Sequence, residues 1–181
     1  MEINKAFITI GLATALLQMP VAADAQHAGS ACCDHGNKTC RQNPLLQKSS
    51  LPFGAPDFAR IKETDYLPAI EAAVKQQREN IQKIVDNKAK PTFANTILAY
   101  ENSGVLLENV SNVFFGLCSA HKTPVIADTE KKVTPLLTDL DNEISFNQKL
   151  FERIKYVYDH EYKSLTGEDQ RLTEVIYKGF V

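Results

Sequence analysis

From Phe93 onward the chain repeats apolar positions at spacings of three and four. Phe93, Ile97, Tyr100, Gly104, Leu107, Val110, Phe114 and Leu117 fall on one stripe of a helix, and Val105, Leu106 and Val113 widen it. Thr92 suits the N-cap, where its hydroxyl can accept from a free amide of the first turn. Pro91 holds the residue before it extended. These signals predict one long helix over about 92–117. A helix apolar over so much of its surface needs neighbours on more than one side, which places it at the centre of a helical layer. Gly104 lies on the stripe in mid-helix, where a glycine costs about 1 kcal/mol relative to alanine. Its expected role is close approach to another helix.

Four further helices read out the same way. The first runs from about Asp65 to Val85, with Tyr66, Ile70, Ala73, Gln77, Ile81 and Ile84 inside and Lys75, Arg78, Glu79 and Lys83 outside. Pro68 sits in its first turn, where a missing N–H is tolerated. The polar turn at 86–90 is short, so this helix and the central one are expected to pack antiparallel. A third helix starts at Thr123-Pro124 and carries Ile126, Thr129, Val133, Leu136, Leu140 and Ile144, with Pro135 expected to kink or split it. A fourth begins at Asn147 and carries Leu150, Phe151, Ile154, Val157 and Tyr158. A fifth follows Thr166-x-x-Asp169, a variant of the capping box, with Leu172, Ile176 and Phe180 inside. No stretch alternates as a strand does, and no repeat is found. The fold class is all-α, with about five helices in a domain spanning 51–181. At the last helix, the expectation is that Leu172, Ile176 and Phe180 find their cover in a continuation and that the helix frays without it.

Residues 1–50 read differently. Lys5 gives a weakly positive start, Ala6 to Leu17 is apolar but too short for a permanent span, and Ala23-Asp24-Ala25 offers small residues for cleavage. Residues 1–25 therefore read as a secretory signal peptide, which implies export, most simply to a bacterial periplasm. Residues 26–50 are polar and aperiodic and read as a flexible tether. Cys32, Cys33 and Cys40 lie in it, with His27 and His35 nearby. Copper or zinc binding, a disulfide from Cys40 to one of the adjacent pair, and lipid attachment at Cys32 are the alternatives there. Formal net charge is -2, which gives no electrostatic basis for nucleic-acid binding.

Pro91-Thr92-Phe93-Ala94-Asn95-Thr96, then Glu101 and Ser103-Gly104, resembles the N-terminal region of the thimet-oligopeptidase and peptidyl-dipeptidase family of zinc metallopeptidases. Asn43-Pro44-Leu45-Leu46 with Leu51-Pro52-Phe53 resembles the start of a mature peptidyl-dipeptidase, and Ile61 to Ile70 the beginning of the family's first helix. The resemblance runs from about Asn43 to Val181. It implies a wall of a deep substrate channel that admits short, unstructured peptides, with a zinc-bearing catalytic half expected as a partner. That half would carry His-Glu-x-x-His, in which two histidines hold the metal and the glutamate activates water. The chain's own His160-Glu161 is followed by Ser164 where the second histidine belongs, and His27, His35 and His121 are distant in sequence. His160 and Glu161 read instead as residues at a helix C-terminus, where a partly charged histidine is favourable. Cys118 and His121, three apart, offer a thiolate–imidazole pair in principle, but Cys118 lies beside the apolar stripe and reads as a packed core thiol. Tyr156, Tyr158 and Tyr162 read at least partly as packing residues. No catalytic residue, metal ligand or cofactor site is assigned. Peptide hydrolysis is thus expected only with the catalytic half, and this chain reads as a fragment. The other readings are a free-standing exported helical binding module, and a metal-handling protein using the cysteine tether.

Overall fold

The computed structural model describes residues 41–181. The expected signal peptide, Cys32, Cys33, Cys40, His27 and His35 lie outside those residues. Five helices are formed: α1 Tyr66–Asp86, α2 Val105–Ala120, α3 Pro124–Ser145, α4 Gln148–His160 and α5 Gly167–Gly179. No strand occurs among the described residues.

Paired contacts set the helix directions. Along α1, Tyr66 stacks on Phe114 with ring centroids 5.4 Å apart, and Asn80 donates to the Ser103 carbonyl at 3.2 Å. Ascending α1 therefore descends the next helix, and the two are antiparallel as expected. Thr123 at the start of α3 donates to Glu63, while Arg78 pairs with Glu143 near its end, so α1 and α3 run parallel. The helix that reaches the most neighbours is α1, not the one that carries the widest apolar stripe. It packs on α2, α3 and α4. Ala69 and Ala73 are fully buried on it beside Ile70 and Val74. Small side chains interleaved with branched ones let several helices approach one axis, whereas Val105 of the long stripe remains partly in water.

The stretch expected as one helix over 92–117 is broken. It opens with a π-helical turn, Phe93–Leu98, continues through Ala99–Glu101, tightens into a 3₁₀ turn at Asn102–Gly104, and only then becomes α2. Side-chain competition accounts for the break. Asn102 donates to the Leu98 carbonyl and Ser103 to that of Tyr100, taking acceptors that a continuous helix would use. Gly104 has left helical geometry, at φ -105° and ψ 2°. The freed Ser103 carbonyl is the one that receives Asn80.

A Cβ built on Gly104 would lie 2.7 Å from Nε2 of Gln77 on α1. The close approach is real, but its partner is the far end of a flexible side chain. Gly104→Ala should therefore change stability little. Gly104→Leu should cost about 1–3 kcal/mol by overpacking, read as a lower urea midpoint. A stabilised leucine variant would mean that the side chain escapes to solvent.

Pro135 neither splits nor ends α3, which runs unbroken through it. The residue is exposed on the wet side, so the carbonyl it leaves without a donor can take water. Thr123 and Asn147, where the third and fourth helices were expected to start, cap α3 and α4, accepting from the Ile126 and Leu150 amides. Thr166 makes no side-chain cap. The end of α5 is covered within the domain. Ile176 is buried, and Phe180 meets Tyr100 edge-on and stacks on Phe151, with centroids 5.8 and 6.4 Å away. The expected lack of cover at Leu172, Ile176 and Phe180 is thus corrected: Leu172 too packs against the core.

Residues 41–47, counted above in the tether, are docked on the domain. Asn43 caps the 3₁₀ turn Pro44–Leu46 and also donates to the Asp65 carbonyl, and Leu45 and Leu46 pack on the core. Arg41 pairs with both carboxylate oxygens of Asp65, at 2.8 and 3.0 Å, and reaches the Arg60 carbonyl. Burial pushes the Asp65 carboxyl up, but the Arg41 guanidinium and the Lys62 amide outweigh it and hold the group below its ordinary range. A carboxylate depressed in the folded state adds stability above its unfolded pKa and loses it as pH falls through the folded one. Asp65→Asn should therefore lower the thermal midpoint at pH 7. The gap to the unsubstituted protein should narrow as pH falls below the ordinary carboxylate range and through the depressed folded-state pKa of Asp65.

Candidate functional site

The residues that carry the family resemblance are tied into one knot at the start of the π turn. Thr92 Oγ1 accepts from the Asn95 amide at 3.2 Å, and Asn95 Oδ1 accepts from the Thr92 amide at 2.9 Å. This is a capping box with asparagine in the place usually held by glutamate or glutamine. Arg153 of α4 reaches across to the same group. Its guanidinium donates to the Asn87 carbonyl at 2.8 Å, to Ala89 at 3.4 Å, to Asn95 Oδ1 at 3.2 Å and to Thr96 Oγ1 at 3.4 Å. Among the described residues no carboxylate is hydrogen-bonded to it, and burial pulls its pKa down. Thr96 is fully buried beneath. The motif therefore builds structure here: it starts a helix and clamps the loop at 87–90 to α4.

His160 and Glu161 are not arranged for metal chemistry. His160 is exposed, its Nδ1 lies 2.9 Å from the Tyr156 carbonyl, and its ring stacks on Tyr156 at 4.0 Å. Glu161 Oε2 accepts from the Phe93 amide at 2.8 Å, holding a free donor of the π turn. Ser164 Oγ donates to the Glu161 carbonyl. Among the described residues no three or more His, Cys, Asp or Glu side chains are grouped to hold a metal ion. These residues do not fit the zinc site that the family implies.

Cys118 is a half-buried free thiol whose pKa is raised, first by burial and then by Glu130. A thiol shifted that way is a poor nucleophile at neutral pH. His121 is exposed at the end of α2. Tyr158 stacks between Tyr162 and Tyr177, at 4.8 and 4.0 Å, and so fastens α4 to α5. Sequence reasoning missed the roles of Arg153 and Glu161, both of which act on a loop or turn more than sixty positions away. Nothing local marks such a contact.

Two concave sites stand out among the described residues. One, of about 380 Å³, is lined by Asn80, Lys83, Asn87, Asn95 and Asn102. Its polar groups are already engaged within the chain, as in Lys83 to Asn80 and Asn102 to Leu98. The other, of about 410 Å³, is a groove over the middle of α1, walled by the start of α2 and the second half of α3. Leu107, Leu137, Leu140 and Ile144 supply its apolar lining, and Glu101, Glu108 and Asp141 its charge. Among the described residues, none of these three carboxylates forms an ion pair. No helix among the described residues is long and apolar enough to cross a membrane.

No family model matches the chain. Curated proteins do. The chain is 41% identical over 140 residues to a dipeptidyl carboxypeptidase of Salmonella typhimurium, and 39% identical over 140 residues to one of Escherichia coli, each match covering 77% of this chain. It is 22% identical over 129 residues to oligopeptidase A of Escherichia coli, which covers 71% of this chain and 18% of that protein. The chain spans about a fifth, 21%, of the length of the two dipeptidyl carboxypeptidases. With the Pro91–Thr96 motif and the all-α fold, these similarities place the chain in the peptidyl-dipeptidase and oligopeptidase family.

Proposed function

We propose that this chain is the non-catalytic helical part of an exported zinc metallopeptidase that removes dipeptides from the C-termini of short peptides. Its helices form one wall of the substrate channel and support a separate zinc-bearing part. The observation that carries this reading is the 41% identity to a dipeptidyl carboxypeptidase across 140 residues. The unsuitability of His160, Glu161 and Ser164 for a metal supports a catalytic site outside the described residues. In the peptidase, zinc would polarise the scissile carbonyl and activate water. This chain's contribution is to hold shape: α1 braced by α2, α3 and α4, with the π turn pinned by Arg153 and Glu161. Export rests on the pattern of residues 1–25.

The genomic sequence after the Val181 codon tests the proposal. An in-frame continuation encoding His-Glu-x-x-His is the expected result. A stop codon with no peptidase reading frame beyond it would contradict the proposal and favour a free-standing binding module.

A further inference from the structure

We propose that the groove between α2 and α3 binds the side chain of an arginine or lysine presented by a short peptide. This inference stands on the groove itself and does not depend on the peptidase reading. The floor and walls are apolar where Leu107, Leu140 and Ile144 meet, and Gln77 of α1 lies beneath Gly104. The groove is open to solvent, and its volume, about 410 Å³, has room for one long side chain with its backbone. Glu101 and Glu108 are seven apart in sequence on one wall, and Asp141 is on the other. All three are exposed and unpaired among the described residues, in a chain that pairs many of its other carboxylates. No lysine or arginine lines the groove.

Lysine and arginine are amphipathic in the way this lining requires. Their methylene stems lie on apolar surface while the charged head stays among polar groups. A guanidinium has five donors and suits several carboxylates at once. Two further polar residues line the groove. Ser111 Oγ is buried at the lining without a hydrogen-bond partner. Tyr100 lines the same groove, its pKa raised first by burial and then by Asp141 and Glu101. An acidic rim rejects the free carboxylate of a peptide, so the occupant is an internal basic residue or one whose terminus is blocked.

The probe is acetyl-Ala-Arg-Ala-amide, titrated into the isotopically labelled 181-residue chain and followed by amide NMR. The neutral control replaces arginine with citrulline. Expected shifts centre on Gly104, Leu107 and Ser111. Affinity should be about tenfold weaker for citrulline, and about tenfold weaker when Glu101→Gln, Glu108→Gln and Asp141→Asn are combined. It should also fall with added salt. The three substitutions are at exposed, unpaired positions, and single variants provide the same ordering should the triple variant not fold. Equal shifts with citrulline, unchanged affinity in the folded variants, or shifts scattered away from the groove would overturn the proposal. Absence of any free-peptide binding would also overturn it, leaving the groove to another segment of a longer chain.

Discussion

Phe114→Ala should lower the stability of the domain by about 3–5 kcal/mol, the largest loss expected of any single truncation here. Phe114 is fully buried, tilted against Tyr66 and edge-on to Phe115, with ring centroids 5.4 and 5.2 Å away. Tyr66 is 2% exposed at the start of α1, and the two rings fill the seam where α1 and α2 meet. Removing one leaves a cavity bounded by an aromatic and by branched residues of the central helix, which cannot collapse without moving α1. Since α1 also carries α3 and α4, relaxation there would disturb other seams. Domains are stable by only about 5–15 kcal/mol, so the loss should be plain in a urea titration. A change below about 1 kcal/mol would mean that the α1–α2 seam is not the core of this fold.

Arg153→Met comes second, at about 2–4 kcal/mol. Methionine keeps the length of the stem and removes the donors. The Asn87 and Ala89 carbonyls, Asn95 Oδ1 and Thr96 Oγ1 lose their shared partner, and Thr96 is buried where water cannot easily replace it. Arg153→Lys should rescue only part of the loss, because an ammonium on a flexible stem cannot span acceptors that a planar fork reaches together. Hydrogen exchange localises the effect: amides of Phe93–Leu98 and the preceding loop should open first. Uniform loss across all five helices would instead assign Arg153 a general packing role.

What was legible in the sequence was periodic. The buried sides of α1, α3 and α4 fall where spacings of three and four put them, and α3 and α4 begin behind Thr123 and Asn147, where their starts were read. What was not legible depends on competition between local and distant bonds. The break at Asn102–Gly104 arises because two polar side chains turn back on their own carbonyls and α1 offers Asn80 to the carbonyl left over. The choice of α1 as the hub depends on its small residues. An apolar stripe measures how much surface can be buried, whereas Ala69 and Ala73 decide how many helices can come near. Arg41 read as part of a polar tether because its partner, Asp65, is 24 positions away. The groove had a faint signature. Glu101 and Glu108 repeat at the helical spacing of an otherwise apolar stretch, and Asp141 stands among Leu137, Leu140 and Ile144.

The central claim is that this helical unit belongs to a peptidase family without itself carrying the chemistry. The purified chain, incubated with a short quenched-fluorescence peptide in the presence of zinc and again with a chelator, tests it most directly. The predicted result is turnover at the no-enzyme background in both, since the described histidines and carboxylates hold no metal-binding group and Glu161 is occupied by the Phe93 amide. Chelator-sensitive cleavage that copurifies with the chain would contradict it.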